Sequence, residues 1–107
     1  MRAAVTQGES VMELVERPWP GEPGEGEVVL RPEVVGVCGS DVHLFHGRLG
    51  QVFPRVQGHE ISAVVEAVGS RVDDVRPGDR VAVWPVLACG ACYPCSIGRE
   101  NVCANIA

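Results

Sequence analysis

The chain contains no lysine, since all nine of its basic residues are arginine. That absence removes a Schiff-base lysine, a P-loop lysine and a lysine general base in one step. Apolar runs are short, well below the roughly 18 residues of a membrane span, and Met1-Arg2-Ala3-Ala4-Val5 lacks the extended apolar core of a signal peptide. The expectation is therefore a soluble, cytoplasmic protein with no membrane partner. No basic cluster offsets the formal net charge of -5, so a phosphate backbone would meet repulsion over most of the surface and nucleic acid is not an expected partner. At 107 residues with 46% hydrophobic content, the sequence suits one domain and leaves no room for a second.

What the sequence does contain is cysteine of an unusual distribution. The count is five, an odd number, and four of them fall between Cys89 and Cys103, too closely spaced for a set of loop-closing disulfides. In a reducing compartment such a cluster reads as metal ligands.

The first half of the chain patterns as short strands: Arg2 to Thr6, Val11 to Arg17 and Glu27 to Val37, with β-branched bulk in Val28-Val29-Leu30 and Val34-Val35. Pro18 to Gly26, broken by proline and glycine, is expected to be a surface connector. Ser40, as N-cap, with Asp41 in the first turn, predicts a short helix from Ser40 to His46 that ends at Gly47. Ile61 to Val68 is an apolar strand, and Arg76-Pro77-Gly78-Asp79 a turn leading into a strand from Arg80 to Trp84. Short strands and frequent turns predict a mainly β fold, a partly open barrel rather than a doubly wound sheet.

Cys89-x2-Cys92-x2-Cys95-x7-Cys103 places four thiolates within fifteen residues, enough to surround one tetrahedral zinc ion with no position left open. A closed site of this kind is structural. Gly90, Pro94 and Gly98 allow the tight turns it needs. An iron–sulfur cluster is the nearest competitor, but the bacterial ferredoxin pattern brings its fourth cysteine after three residues and before proline; here the gap is seven and Ala104 follows. Cysteines without metal remain a third reading.

Cys38 stands apart, in Gly36-Val37-Cys38-Gly39-Ser40-Asp41-Val42-His43, and Gly58-His59-Glu60 follows twenty-one residues later. Thiolate, imidazole and carboxylate are the ligand types of an open zinc site, whose fourth position takes water or substrate. Taken singly, a cysteine at a strand end is most often core, and a lone histidine or glutamate most often a solvated or capping group. Asp41 has the chemistry to hold the far nitrogen of His59.

These motifs, with Gly78-Asp79-Arg80-Val81 and the four-cysteine lobe, resemble the zinc-dependent medium-chain alcohol and polyol dehydrogenases in order and spacing over nearly the whole chain. Ser40 to Gly50 is similar to the sorbitol and threonine dehydrogenase branch. The resemblance implies a GroES-like catalytic domain over 1–107, with a structural-zinc lobe at 86–107. It implies a catalytic zinc held by Cys38, His59 and Glu60, the last bound directly or exchanging with water, and a structural zinc held by Cys89, Cys92, Cys95 and Cys103. Ser40 would take the alcohol proton, His43 would hand it to solvent, and Asp41 would support the zinc-bound histidine. Zinc would act as Lewis acid while hydride passes to NAD(P), and the substrate would be a small-molecule secondary alcohol or polyol.

No Gly-x-Gly-x-x-Gly opens a strand-to-helix unit, so a Rossmann domain is expected to be absent from these residues and no residue is assigned to NAD(P). The expected function is the catalytic-domain portion of such an oxidoreductase, inactive alone and partnered by a missing Rossmann domain or a homo-oligomer. The alternatives are a zinc-stabilised GroES-like binding or scaffold module without catalysis, which has no need of Cys38, Ser40, His43 and His59 together, and a DNA-binding zinc ribbon, which the acidic balance disfavours.

Overall fold

In the computed structural model, which describes residues 1–50 and 52–106, the chain folds as two three-stranded antiparallel sheets that share no strand. Ala107, the last residue of the expected zinc lobe, lies outside the described residues. The first sheet has β1 (Arg2–Gly8) at its centre, flanked by β2 (Val11–Glu16) and by β4 (Arg55–Val56). The second has β5 (Glu60–Val68) at its centre, flanked by β3 (Val28–Gly36) and by β6 (Arg80–Ala82). The expectation of a mainly β, partly open barrel holds, since the strands do not close on themselves.

The central strands carry the core. In β5 the alternation places Ala63 and Val65 inward while Ser62 and Glu66 face solvent, and the same logic buries Val5 of β1 and Val29 of β3. Thr6 is also fully buried, and its hydroxyl accepts a 2.7 Å hydrogen bond from Gln57 Nε2, which ties β1 to the segment preceding β5. The core is thin. A radius of gyration of 15.8 Å exceeds the roughly 13 Å of a compact domain this long, and the accessible surface of 7660 Å² exceeds the roughly 5,800 Å² expected of a folded chain of this mass. Leu14, Val34 and Val37 are 72%, 64% and 78% exposed, so large apolar side chains on and beside both sheets stay open to solvent.

Expected limits shift by one or two residues in every expected element, with β1, for example, running on to Gly8. The helix α1 spans Gly39–Phe45 and its N-cap is Cys38, not Ser40. Asp41 decides this, because its Oδ2 accepts the backbone N–H of Cys38 at 2.9 Å and so satisfies a donor that precedes the helix. Gly47 follows the helix in the left-handed conformation, as expected of a residue past the end. The strand expected over Arg80 to Trp84 ends at Ala82, with Val83 still donating one backbone hydrogen bond to Ile61. Pro18 to Gly26 carries no regular structure, as expected, whereas the cysteine lobe contains a helical turn, α2 (Tyr93–Ser96), and a 3-10 turn at Glu100–Val102 that the sequence did not signal.

With so few buried side chains, each carries a large share of the stability. Val65→Ala, at the middle of β5 and 2% exposed, is expected to cost about 2 kcal/mol, read as a lower urea midpoint with an unchanged slope.

Candidate metal centres

The antiparallel register of β3 and β5 brings the end of one strand beside the start of the other, pairing Val35 with Ile61 and Gly36 with Glu60. Cys38 lies two residues beyond the end of β3, and His59 one residue before β5. Cys38 Sγ therefore stands 3.0 Å from His59 Nε2, although twenty-one residues separate them in sequence. Ser40 Oγ, in the first turn of α1, is 2.9 Å from that sulfur and 3.4 Å from the same ring nitrogen. One ligand atom each from Cys38, His59 and Glu60 lies within 4.8 Å of the other two. Zinc bonds of about 2.3 Å to sulfur and 2.0 Å to nitrogen at a tetrahedral angle put such atoms roughly 3.5 Å apart, so one ion fits the set with small side-chain adjustments.

The opposite edge of the imidazole meets Asp41. His59 Nδ1 is 3.5 Å from Asp41 Oδ1, close enough for charge to matter but not aligned as a hydrogen bond, so Oδ1 is a buried oxygen without a hydrogen-bond partner. A ring that turned to offer Nε2 to a cation would keep its Nδ1–H for this oxygen, the arrangement by which carboxylates orient metal-binding histidines. The donor set and the orphaned acceptor fit a divalent cation on both counts.

His43 is exposed on α1, and among the described residues no side-chain hydrogen bond joins it to Ser40 or His59. It follows Ser40 by three residues, a spacing that places both on one face of the helix.

The second cluster closes on itself. Ligand sulfurs of Cys89, Cys92, Cys95 and Cys103 lie within 4.8 Å of one another, with Cys92 3.4 Å from Cys95 and 3.8 Å from Cys103. These separations are close to the roughly 3.8 Å between thiolates around one tetrahedral zinc. Backbone N–H groups of Cys89 and Asn105 each donate to Cys103 Sγ at 3.3 Å, and Asn105 Nδ2 points at Cys89 Sγ from 3.7 Å. Backbone N–H groups of Ala91 and Cys92, then the Asn105 side chain, pull the Cys89 thiol down to about 6. The neighbouring Cys92 sulfur, assisted by burial, pushes Cys95 up to about 12. Four sulfurs this close cannot all ionise without a cation among them. Asn105 escaped the sequence reading because nothing in its spacing marks it as a partner of sulfur.

A mainly β chain that brings thiolate, imidazole and carboxylate donors together at one place and four sulfurs at another has two donor sets suited to zinc. Residues 24–107 match the alcohol dehydrogenase GroES-like domain, and the chain belongs to that family. It is 44% identical to the starvation-sensing protein RspB of Escherichia coli strain K12 over 100% of its own length and 32% of that protein's. It is 39% identical to sorbitol dehydrogenase of Bacillus subtilis over 99% of this chain and 31% of the relative. Among solved structures, an alcohol dehydrogenase, rspB, from E. coli CFT073 complexed with cofactor NADH superposes with a TM-score of 0.88 at 44% identity, covering 100% of this chain and 31% of that one. The chain thus spans about a third of the length of the relatives it matches. No helix among the described residues is long and apolar enough to cross a membrane.

Asp41 accepts the Cys38 backbone N–H through Oδ2 and sets Oδ1 3.5 Å from the His59 ring, and the first role is isolated by mutation. Asp41→Ala is expected to destabilise the fold by about 1 kcal/mol through the lost helix-cap acceptor. Asp41→Asn keeps an acceptor for Cys38 N–H and should stay within about 0.5 kcal/mol of the wild type, both measured by denaturant titration of the metal-free protein.

Proposed function

We propose that this chain is the metal-holding part of the catalytic domain of a zinc-dependent dehydrogenase that oxidises a secondary alcohol or polyol by hydride transfer to NAD(P). The observation that carries the reading is the convergence of Cys38 Sγ on His59 Nε2 with the Ser40 hydroxyl against both. Cys38, His59 and Glu60 hold the catalytic zinc, and Cys89, Cys92, Cys95 and Cys103 hold a structural one. When bound, the catalytic ion supplies Lewis-acid polarisation of the alcohol oxygen, lowering the cost of releasing its proton near neutral pH.

The residues around the site then have distinct tasks. Asp41 keeps the proton of His59 on Nδ1, leaving Nε2 as the ligating atom. As Ser40 Oγ accepts the alcohol proton it would release its own hydroxyl proton, which leaves for solvent by way of His43, on the same face of α1 and exposed. Short elements anchored by the β3–β5 ladder hold these groups in fixed relation, which matters because misplacement of reacting atoms by an ångström costs large factors in rate.

NAD(P) is assigned to no residue among the 107. Relatives are three times as long, and the NADH-bound structure belongs to one of them. The exposed side chains of Leu14, Val34 and Val37 suit a working enzyme in which further protein covers part of this domain, whether a nucleotide-binding domain or another subunit. A reducing, cytoplasmic setting suits five unpaired thiols.

Two measurements test the reading. Metal analysis should find two zinc ions per chain, falling to one in Cys38→Ala and to one, with a markedly lower melting temperature, in Cys103→Ala; a Cys38→Ala protein that still holds two would end the catalytic-site assignment. The 107 residues alone, given zinc, a polyol and excess NAD⁺, should produce no NADH absorbance, and turnover by them would show that nucleotide binding had been misplaced.

A further inference from the structure

Gly36 is the last residue of β3 and the direct cross-strand partner of Glu60, the first residue of β5. Its backbone is not in the left-handed region, so conformation alone does not demand glycine there. Within a strand glycine weakens pairing and offers nothing to pack, and it persists where another group must come close. Here that group is identifiable. A Cβ on Gly36 would lie 2.5 Å from Glu60 Oε2, 3.0 Å from Glu60 Cβ and 3.5 Å from Glu60 Cδ, where directly opposed strand residues normally keep their Cβ atoms about 4.5 to 5.5 Å apart.

We propose that Gly36 is a positioning residue of the catalytic metal site: the space left by its missing side chain is where the Glu60 carboxylate lies, and lying there keeps that carboxylate beside Cys38 and His59. The inference rests on the reading of Cys38, His59 and Glu60 as one ligand set, and deepens it. The closest clash, with Oε2, falls on the far end of a flexible side chain and is relieved by swinging the Glu60 carboxylate aside, at a cost to metal binding; the 3.0 Å approach to Glu60 Cβ is relieved only by a shift of a few tenths of an ångström between the two strands, at a cost to stability. The neighbouring constraint is of another kind. Gly58 has φ +123° and faces the Val35 side chain, with its Cβ position 2.9 Å from Val35 Cγ1, so it shapes the turn into His59 and does not touch the carboxylate.

The test compares wild type, Gly36→Ala, Glu60→Ala and the double variant in the purified protein, titrated with zinc alone against a chromophoric chelator. The four-cysteine site should bind unchanged in all four, and the far-UV circular dichroism spectrum with its urea midpoint reports that the sheets of each are folded. At the other site Gly36→Ala and Glu60→Ala should each weaken zinc about tenfold or more; in zinc affinity the double variant should be no weaker than Glu60→Ala, because both changes remove the same carboxylate ligand, while its melting temperature falls by the strand shift that the two Cβ atoms still require. With cobalt(II) in place of zinc, the visible bands of Gly36→Ala should shift toward those of Glu60→Ala. Wild-type affinity in Gly36→Ala, or a double variant clearly weaker than Glu60→Ala, overturns the proposal. Should Gly36→Ala fail to fold, the Glu60→Ala and double-variant pair decides on zinc affinity: equal affinity supports the assignment, and a further loss of affinity in the double variant defeats it. If Glu60→Ala leaves affinity intact while Cys38→Ala abolishes the site, the positioning role falls and the Cys38–His59 centre stands. If Cys38→Ala keeps both ions, the underlying reading fails.

Discussion

The contact between the Cys38 sulfur and the His59 imidazole depends on one piece of register. An antiparallel ladder running from Val28 opposite Val68 to Gly36 opposite Glu60 brings the two flanking segments together only at its far end. A slip of one residue would turn every side chain of β5 to the other face, exposing Val65 and carrying Glu60 away from the cysteine. The pairing that buries Ala63 and Val65 is therefore the same pairing that assembles the thiolate, the imidazole and the carboxylate. Folding and site formation are one event for this centre.

The four-cysteine lobe is assembled on a different principle. Its ligands lie within fifteen residues, so closing the loop costs little chain entropy, and local turns suffice: α2, the 3-10 turn and two left-handed glycines, Gly90 and Gly98. A local chelate of this kind was readable from spacing alone, before any fold was known. The mixed site was readable only as a coincidence of residue types, sharpened by resemblance, because the distance between residues 38 and 59 is set by sheet register that spacing does not encode. The glycine opposite Glu60 was quoted in its motif without any role, for the same reason.

Strand existence followed from β-branched runs, and five of the six strands were expected close to their observed limits. The two-residue β4 was not, since Arg55–Val56 offers no period to detect. The displaced helix cap has a physical lesson as well. Intrinsic preference favours serine over cysteine at that position, but Asp41 reaches back three residues to the Cys38 amide in a local capping box, and the Ser40 hydroxyl faces the sulfur instead of capping the helix.

Charge arithmetic separates the two proposed centres by what each can do. A divalent ion among four thiolates carries a formal charge of about minus two and has no vacant position, so it is a weak Lewis acid; the N–H donors from Cys89 and Asn105 that surround Cys103 and Cys89 are what such an excess of negative charge requires. The same ion among one thiolate, one neutral imidazole and one carboxylate is formally neutral and keeps a place for an oxygen ligand, and the nearest spare donor or acceptor is a hydroxyl, Ser40 Oγ, rather than a ring of amides. Polarising an alcohol needs the second environment and would be suppressed by the first. The division of labour proposed for the lobe and the strand-end site therefore follows from their donor sets, the first suited to fixing a loop-rich flank and the second to chemistry.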